Sequence, residues 1–296
     1  MDRLTQMATF VKAVELGSFS AAADDLKLSP QLVGKQIQTL EQHLGVRLLN
    51  RTTRKQSLTD FGSAFFERAK IILAEVETAE SMAAETRGVP SGRLRINAAV
   101  TFGVRTLSPR LSEYMARYPR VTVNLTLSNR VVDLVEEGYD VVFRIGELTD
   151  SGLIVRFLGP YHLALCAAPS YLASRPAIST PWDLQQHECL GFAYSDGRTQ
   201  WTFEGPDGPI VVPIASRLTV NQSEPLLGAA LAGLGVILQP LELVRDALRV
   251  GTLVKLLPEY KVPSPPLNLL YAPDRRITPK LRSFLDFCVD AFDQSR

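Results

Sequence analysis

The chain has 296 residues, 46% of them hydrophobic and 21% charged, with a formal net charge of +1. At about 100–200 residues per domain this is enough for two domains, and the composition excludes a disordered or collagen-like polymer. The longest apolar run, residues 226–238, falls short of the roughly 18–20 residues that span a bilayer, and the polar start lacks the order of a secretory signal. A cytoplasmic protein with no membrane partner is expected. Cys166, Cys189 and Cys288 are odd in number and never in CxxC spacing, which disfavours both a disulfide framework and a metal cluster.

The near-zero net charge hides an uneven distribution. Between Lys27 and Lys55 six basic residues face only Glu41, whereas from Glu67 to Glu85 five glutamates outnumber Arg68 and Lys70. A basic block followed by an acidic stretch assigns contact with a polyanion to the N-terminal part alone.

Three helical patterns fill the first 45 residues. Leu4, Met7, Val11 and Val14 recur at helical steps and Gly17 follows as a stop. Ser20 is a candidate cap for a short second helix containing Ala21, Ala22 and Ala23. Ser29 and Pro30 open a third, in which Val33, Ile37, Leu40 and Leu44 form one stripe and Gln31, Lys35, Gln38 and Gln42 the opposite one. An ordinary solvated face mixes charges of both signs; this one holds amides and a single cation. Amides pair with adenine edges and Lys reaches guanine O6 and N7, so the stripe suits the major groove. Residues 45–59 then read as two short strands around a turn carrying Arg51, Thr52, Thr53, Arg54 and Lys55, a wing able to hold phosphate oxygens.

The runs Gly17-Ser-Phe-Ser-Ala-Ala-Ala, Ser29 through Leu40-Glu41, Leu44-Gly45, Leu48 through Arg54, and Leu58-Thr59 with Gly62 resemble the winged helix-turn-helix of LysR-type transcriptional regulators. The resemblance implies that Gln31, Gly34, Lys35 and Gln38 face bases and that Ser29, Arg51, Thr52, Arg54 and Lys55 face phosphates of double-stranded DNA. The chain departs from the family where it has Gly34-Lys35 in place of Ser or Thr followed by Arg, and at Phe61, where a small residue is usual.

From Thr59 to Arg87, Phe65, Ala69, Ile72, Val76, Ala79 and Ala83 keep heptad spacing. A helix of that length exceeds a small domain, so this seam is expected to pair with a second copy as a homodimer; the resemblance implies the same linker dimer, and a homotetramer is implied by the resemblance alone. A helix lying on its own chain is the alternative. Residues 88–92, rich in Gly and Pro, mark a boundary.

Beyond Gly92 strands alternate with helices. Strands are expected at Leu94 to Ala98, Val121 to Leu127, Val141 to Ile145, Leu163 to Ala168, Ile210 to Pro213, Leu218 to Asn221, Val236 to Leu238 and Leu267 to Ala272. Helices are expected through Leu107, Leu111 and Met115, over Val131 to Glu137, from about Glu224, and over Pro279 to Phe292. Residues 119–125, 133–146 and 230–235 resemble the effector-binding region of the same family, itself similar to type 2 periplasmic binding proteins, with two crossing strands near Tyr161 and Leu267.

The expected fold is thus α+β multidomain. It comprises a winged helix-turn-helix (1–58), a long linker helix (59–88) and a two-lobed α/β effector-binding domain (92–296), with lobe I near 92–161 and 267–296 and lobe II near 162–266. Strand ends that feed helices favour an anion, so Thr101, Phe102, Ser128 and Asn221 are effector-contact candidates. Arg144 offers a guanidinium, unless it pairs with Asp140 or Glu147. Trp201 either walls the cleft or belongs to the core of a hairpin around residues 205–208.

His43, His162 and His187 are too scattered for a catalytic or metal constellation, and neither GxSxG nor a P-loop occurs. No catalytic residue and no cofactor are expected. The function implied is sequence-specific DNA binding modulated by a small anionic organic effector. The alternatives are a redox-responsive regulator using Cys166 and Cys189, or a ligand-binding or enzymatic two-lobed protein with an accessory head.

Overall fold

A computed structural model describes residues 2–52, 55–85, 89–148, 152–194, 199–206, 208–273 and 277–292, leaving aside the side chains of 51–52, 55–56, 77–78 and 80–85. The head contains α1 (Arg3–Glu15), α2 (Phe19–Leu26) and α3 (Pro30–Leu44). Ser18, rather than the expected Ser20, caps α2 and accepts the Ala21 N–H at 3.0 Å. The left-handed turn at Gly17 delivers an extended Ser18, so the helix begins before Ser20 is reached. Ser29 caps α3 with Pro30 in the first turn, and Gly45 ends it with a φ of +70°.

Phe10, Val33, Ile37, Leu40 and Leu48 are fully buried and form the head core. The wing follows as an antiparallel hairpin, β1 (Leu49–Thr52) with β2 (Lys55–Leu58), Arg51 opposite Gln56 and Thr52 opposite Lys55. Arg54 and Thr53 lie outside the described residues. Glu41 ties α3 to this hairpin, one carboxylate oxygen accepting the N–H groups of Leu48 (2.8 Å) and Leu49 (3.1 Å).

The linker helix α4 (Asp60–Glu85) starts against the head. Gly62 is required there because a Cβ would fall 2.0 Å from the Leu48 carbonyl oxygen. The Phe65 and Phe66 rings lie 5.9 and 6.3 Å from Phe10, and Ala69 is fully buried in the same core. This corrects the expected seam: Ala69 has no surface left for a partner copy, and Phe65 packs chiefly on its own head. Ile72 (40% exposed), Val76 and Ala79 remain available, and the Ala83 side chain lies outside the described residues.

Lobe I contains β3 (Gly92–Ala98), α5 (Val100–Phe102), a π-helical stretch Gly103–Leu107, α6 (Ser108–Arg117), β4 (Val121–Leu127), β5 (Val141–Ile145) and β6 (Ile154–Pro160). Lobe II contains β7 (Leu163–Ala167), α7 (Pro169–Leu172), a 3-10 turn Pro181–Gln186, β8 (Gly191–Phe192), β9 (Gln200–Gly205), β10 (Gly208–Pro213), β11 (Thr219–Val220), α8 (Ser223–Leu231), β12 (Ile237–Pro240), α9 (Leu241–Arg249) and β13 (Val254–Lys255). The chain returns to lobe I as β14 (Pro266–Tyr271) and α10 (Pro279–Phe292).

The lobe I sheet runs β4-β3-β5-β14-β6, parallel from β3 to β4 and β5, with the returning β14 antiparallel to both neighbours. Lobe II is built on β12-β7-β13 with the β9-β10 hairpin and the β8-β11 pair beside it. The two crossings pass Tyr161, whose N–H donates to the Pro265 carbonyl at 2.7 Å.

The helix expected at Val131 to Glu137 is absent. Instead Asp133 accepts the N–H groups of Val135 and Glu136, Glu137 accepts that of Asp133 and pairs with Arg130, and Val131 stays 87% exposed. Local side-chain bonds that compete with the helix ladder hold this turn instead.

Candidate DNA interface and effector cleft

On α3, Gln31, Lys35, Gln38 and Gln42 are all exposed on the face away from the head core. Thr39 shares that face and turns its hydroxyl back to the Lys35 carbonyl at 2.9 Å. Gly34 is placed differently. A Cβ there would meet the Phe19 ring of α2 at 3.6 Å, so this position belongs to the packing between α2 and α3. The Ser29 hydroxyl accepts the Leu32 N–H at 3.2 Å and keeps its own proton free to donate. Helix α3 and the hairpin carrying Arg51, Thr52 and Lys55 are held together through Glu41.

Between the lobes lies a cavity of about 490 Å³. Thr101, Ser128, Arg144 and Trp201 line it, as the sequence reading expected; Phe102 and Asn221 do not. Phe102 is turned into the lobe I core, 5.2 Å from Phe143 and 5.5 Å from Phe292, because its helical turn presents Thr101 to the cleft. Asn221 contributes only its carbonyl, which accepts from Asn129 Nδ2 at 2.9 Å across the lobes, while Asn129 Oδ1 accepts the Val100 N–H at 3.0 Å. Trp201 meets both expectations, being a cavity wall and part of the hairpin core.

Arg144, on β5, donates Nη1 to Asn97 Oδ1 and to the Phe143 carbonyl, both at 3.1 Å. Its Nη2 is buried with no hydrogen-bond partner among the described residues, and desolvation pulls the guanidinium pKa below its ordinary value. Pairing with Asp140 does not occur: that carboxylate accepts the Arg95 N–H at 2.8 Å and sits 3.6 Å from Lys280 Nζ. Nor does Arg144 form an ion pair with Glu147 or any other carboxylate among the described residues.

Across the cavity Gln239, on β12, is only 2% exposed, and its Oε1 has no donor among the described residues. The strand-end argument that selects Thr101 and Ser128 does not select Gln239, although a polar side chain within the otherwise apolar run 236–240 is a usable signal.

Two further links join the lobes. Arg105 and Glu224 form an ion pair at 3.0 Å, and Glu242 accepts from both Tyr161 and Thr106. The three cysteines are buried; burial pushes the Cys166 and Cys189 thiols up to about 12 and raises that of Cys288. A redox role needs a reactive thiolate, which these environments oppose. No helix among the described residues is long and apolar enough to cross a membrane, and no group of three or more His, Cys, Asp or Glu residues there could hold a metal ion.

A head that presents an amide-rich helix beside a hairpin, joined by a long helix to two α/β lobes around a cavity, defines a DNA-binding protein with an effector-binding domain. Residues 4–63 match the bacterial regulatory helix-turn-helix protein model of the lysR family, and residues 87–293 match the LysR substrate binding domain. The chain belongs to the LysR family and is a DNA-binding transcriptional regulator with an effector-binding domain.

It is 36% identical over 297 residues to the HTH-type transcriptional repressor PA14_22550 of Pseudomonas aeruginosa, covering 100% of this chain and 94% of that one. The structure of CrgA from Neisseria meningitidis is similar at 34% identity and a TM-score of 0.63, covering 97% of this chain and 98% of the other. That of the Vibrio cholerae virulence activator AphB is similar at 30% identity and a TM-score of 0.66, covering 98% and 99%.

Proposed function

We propose that the chain is a sequence-specific, cytoplasmic regulator that works as a homo-oligomer and takes a small anionic organic effector between its lobes. The observation that carries the effector reading is Arg144, a half-buried residue of the inter-lobe cavity wall whose Nη2 is buried and has no hydrogen-bond partner among the described residues. A buried charge without a counter-charge is costly, and an anionic ligand removes that cost. In this reading residues 1–58 are the DNA-binding unit, 59–88 the dimerising helix and 92–296 the effector-binding unit.

Gln31, Lys35 and Gln38 read base edges, and Ser29, Arg51, Thr52, Arg54 and Lys55 hold phosphates. Exposure of the α3 face and the hairpin beside it support this division of work. Ile72, Val76 and Ala79 continue the apolar seam of α4 beyond the head and support pairing of two copies. Effector binding then biases lobe closure by its difference in affinity for the two arrangements, which changes the spacing of the paired heads.

Isothermal titration of full-length protein with small carboxylates, paired with DNase footprinting, tests the reading. Saturable binding that Arg144→Gln weakens and that alters the footprint is expected. Binding indifferent to Arg144→Gln removes the anion site.

A further inference from the structure

Arg144 and Gln239 both line the cavity, and their Nη2 and Oε1 atoms are buried without hydrogen-bond partners among the described residues. They come from opposite lobes, Arg144 from β5 of lobe I and Gln239 from β12 of lobe II. One is a cationic donor and the other a neutral acceptor. The remaining wall is largely apolar, with Tyr161, Leu163, Phe192, Leu238, Val262 and Pro265 among its residues.

We infer that the effector is a monocarboxylate whose flat, apolar body also carries an O–H or N–H donor, with Arg144 taking the carboxylate and Gln239 Oε1 the donor. This rests on the cleft being the effector site. A second carboxylate at the Gln239 end would meet Oε1 acceptor against acceptor and would have to turn the amide to receive Nε2, so a dicarboxylate spanning both lobes is disfavoured. A plain apolar acid leaves Gln239 buried and unpaired, which weakens its complex by about fivefold to a hundredfold. Sites built to hydrogen-bond a ligand hydroxyl reject the analogue lacking it for this reason. Because each lobe supplies one partner, a ligand that satisfies both favours the closed pair over the open one. Gln239 is therefore the residue that sets specificity, while Arg144 sets the charge class.

The test is isothermal titration of the full-length protein with benzoate, the three hydroxybenzoate isomers, 4-methoxybenzoate and terephthalate. At least one hydroxybenzoate is expected to bind about tenfold tighter than benzoate, with terephthalate weakest and Gln239→Met abolishing the preference. Equal binding of benzoate and all three hydroxybenzoates, or a preference that survives Gln239→Met, overturns the inference. In that case a loss with Arg144→Gln still upholds the anion reading. If Gln239→Met fails to fold, 4-methoxybenzoate decides: binding as tight as that of the best hydroxybenzoate overturns the donor requirement. Should no acid bind, or should Arg144→Gln leave binding unaltered, the anion reading itself falls and takes this one with it.

Discussion

The Tyr161 hydroxyl donates to Glu242 Oε1 at 2.5 Å, joining the first crossing between the lobes to helix α9 of lobe II. Thr106 of lobe I donates to the other oxygen of the same carboxylate, so one side chain gathers both lobes and the hinge. Burial and the Glu242 carboxylate together raise the Tyr161 pKa, keeping the phenol a donor. Tyr161→Phe is expected to destabilise the effector-binding domain by about 1–3 kcal/mol and to change the effector concentration needed for a half-maximal footprint change. Urea denaturation and footprinting check this; unaltered values in both would mean that the link carries no load.

Lys35→Ala or Gln31→Ala is expected to cost about 1–3 kcal/mol of DNA affinity and to relax base preference at one position. Arg54→Ala should instead weaken binding to all sequences alike and flatten its salt dependence. Binding measured on matched and scrambled operators at several salt concentrations separates the two patterns, and an unaltered preference in Lys35→Ala would take that residue off the base edges.

Gly34 sits within α3 where a methyl group would make ordinary contact with Phe19. Gly34→Ala is therefore expected to stabilise the head by about 0.5–1 kcal/mol, since Ala is the better helix former and no clash opposes it. A melting curve checks the gain. A large simultaneous loss of DNA affinity would show that the glycine serves a close backbone approach to a base.

On α4, Ala69→Leu is expected to overpack the head core and destabilise it by about 1–3 kcal/mol, whereas Ile72→Ala should weaken self-association. Thermal melting and sedimentation of both variants distinguish the positions. If Ala69→Leu melts like the parent but alters the oligomer, the seam begins nearer the head than this packing indicates.

Cys166 and Cys189 should resist thiol reagents at neutral pH until the chain unfolds, since their thiols are held up to about 12. Their folded values lie above the ordinary 9.0, so the unfolded chain releases protons first as pH rises. Stability should fall from about pH 9 upward and show no dependence on these thiols below it. Alkylation kinetics and melts across that range check both statements. Rapid labelling of the native protein at pH 7 would restore the redox alternative.

The head was the most legible part of the sequence. Periodicity alone marks Val33, Ile37 and Leu40 as core, and Ser29-Pro30 fixes where α3 begins. One heptad pattern along α4 covers two environments in succession, the head for the first turns and open surface afterwards, so spacing alone does not separate Ala69 from Ile72. At residues 131–137 a helical hydrophobic pattern is overruled by Asp133 and Glu137, which bond the local backbone. The cleft was half legible. Thr101, Ser128, Arg144 and Trp201 were found from strand ends and residue chemistry, but Gln239 declares itself only when its lack of a donor is seen in three dimensions.

Glu41 has a consequence for genetics. A single carboxylate clasps the start of the hairpin to the far end of α3, so the two elements move as one unit. With α3 on base edges and the hairpin on phosphates, as proposed, a substitution there would uncouple the two without removing any proposed contact. In a screen for operator-blind mutants it would be mistaken for a contact residue.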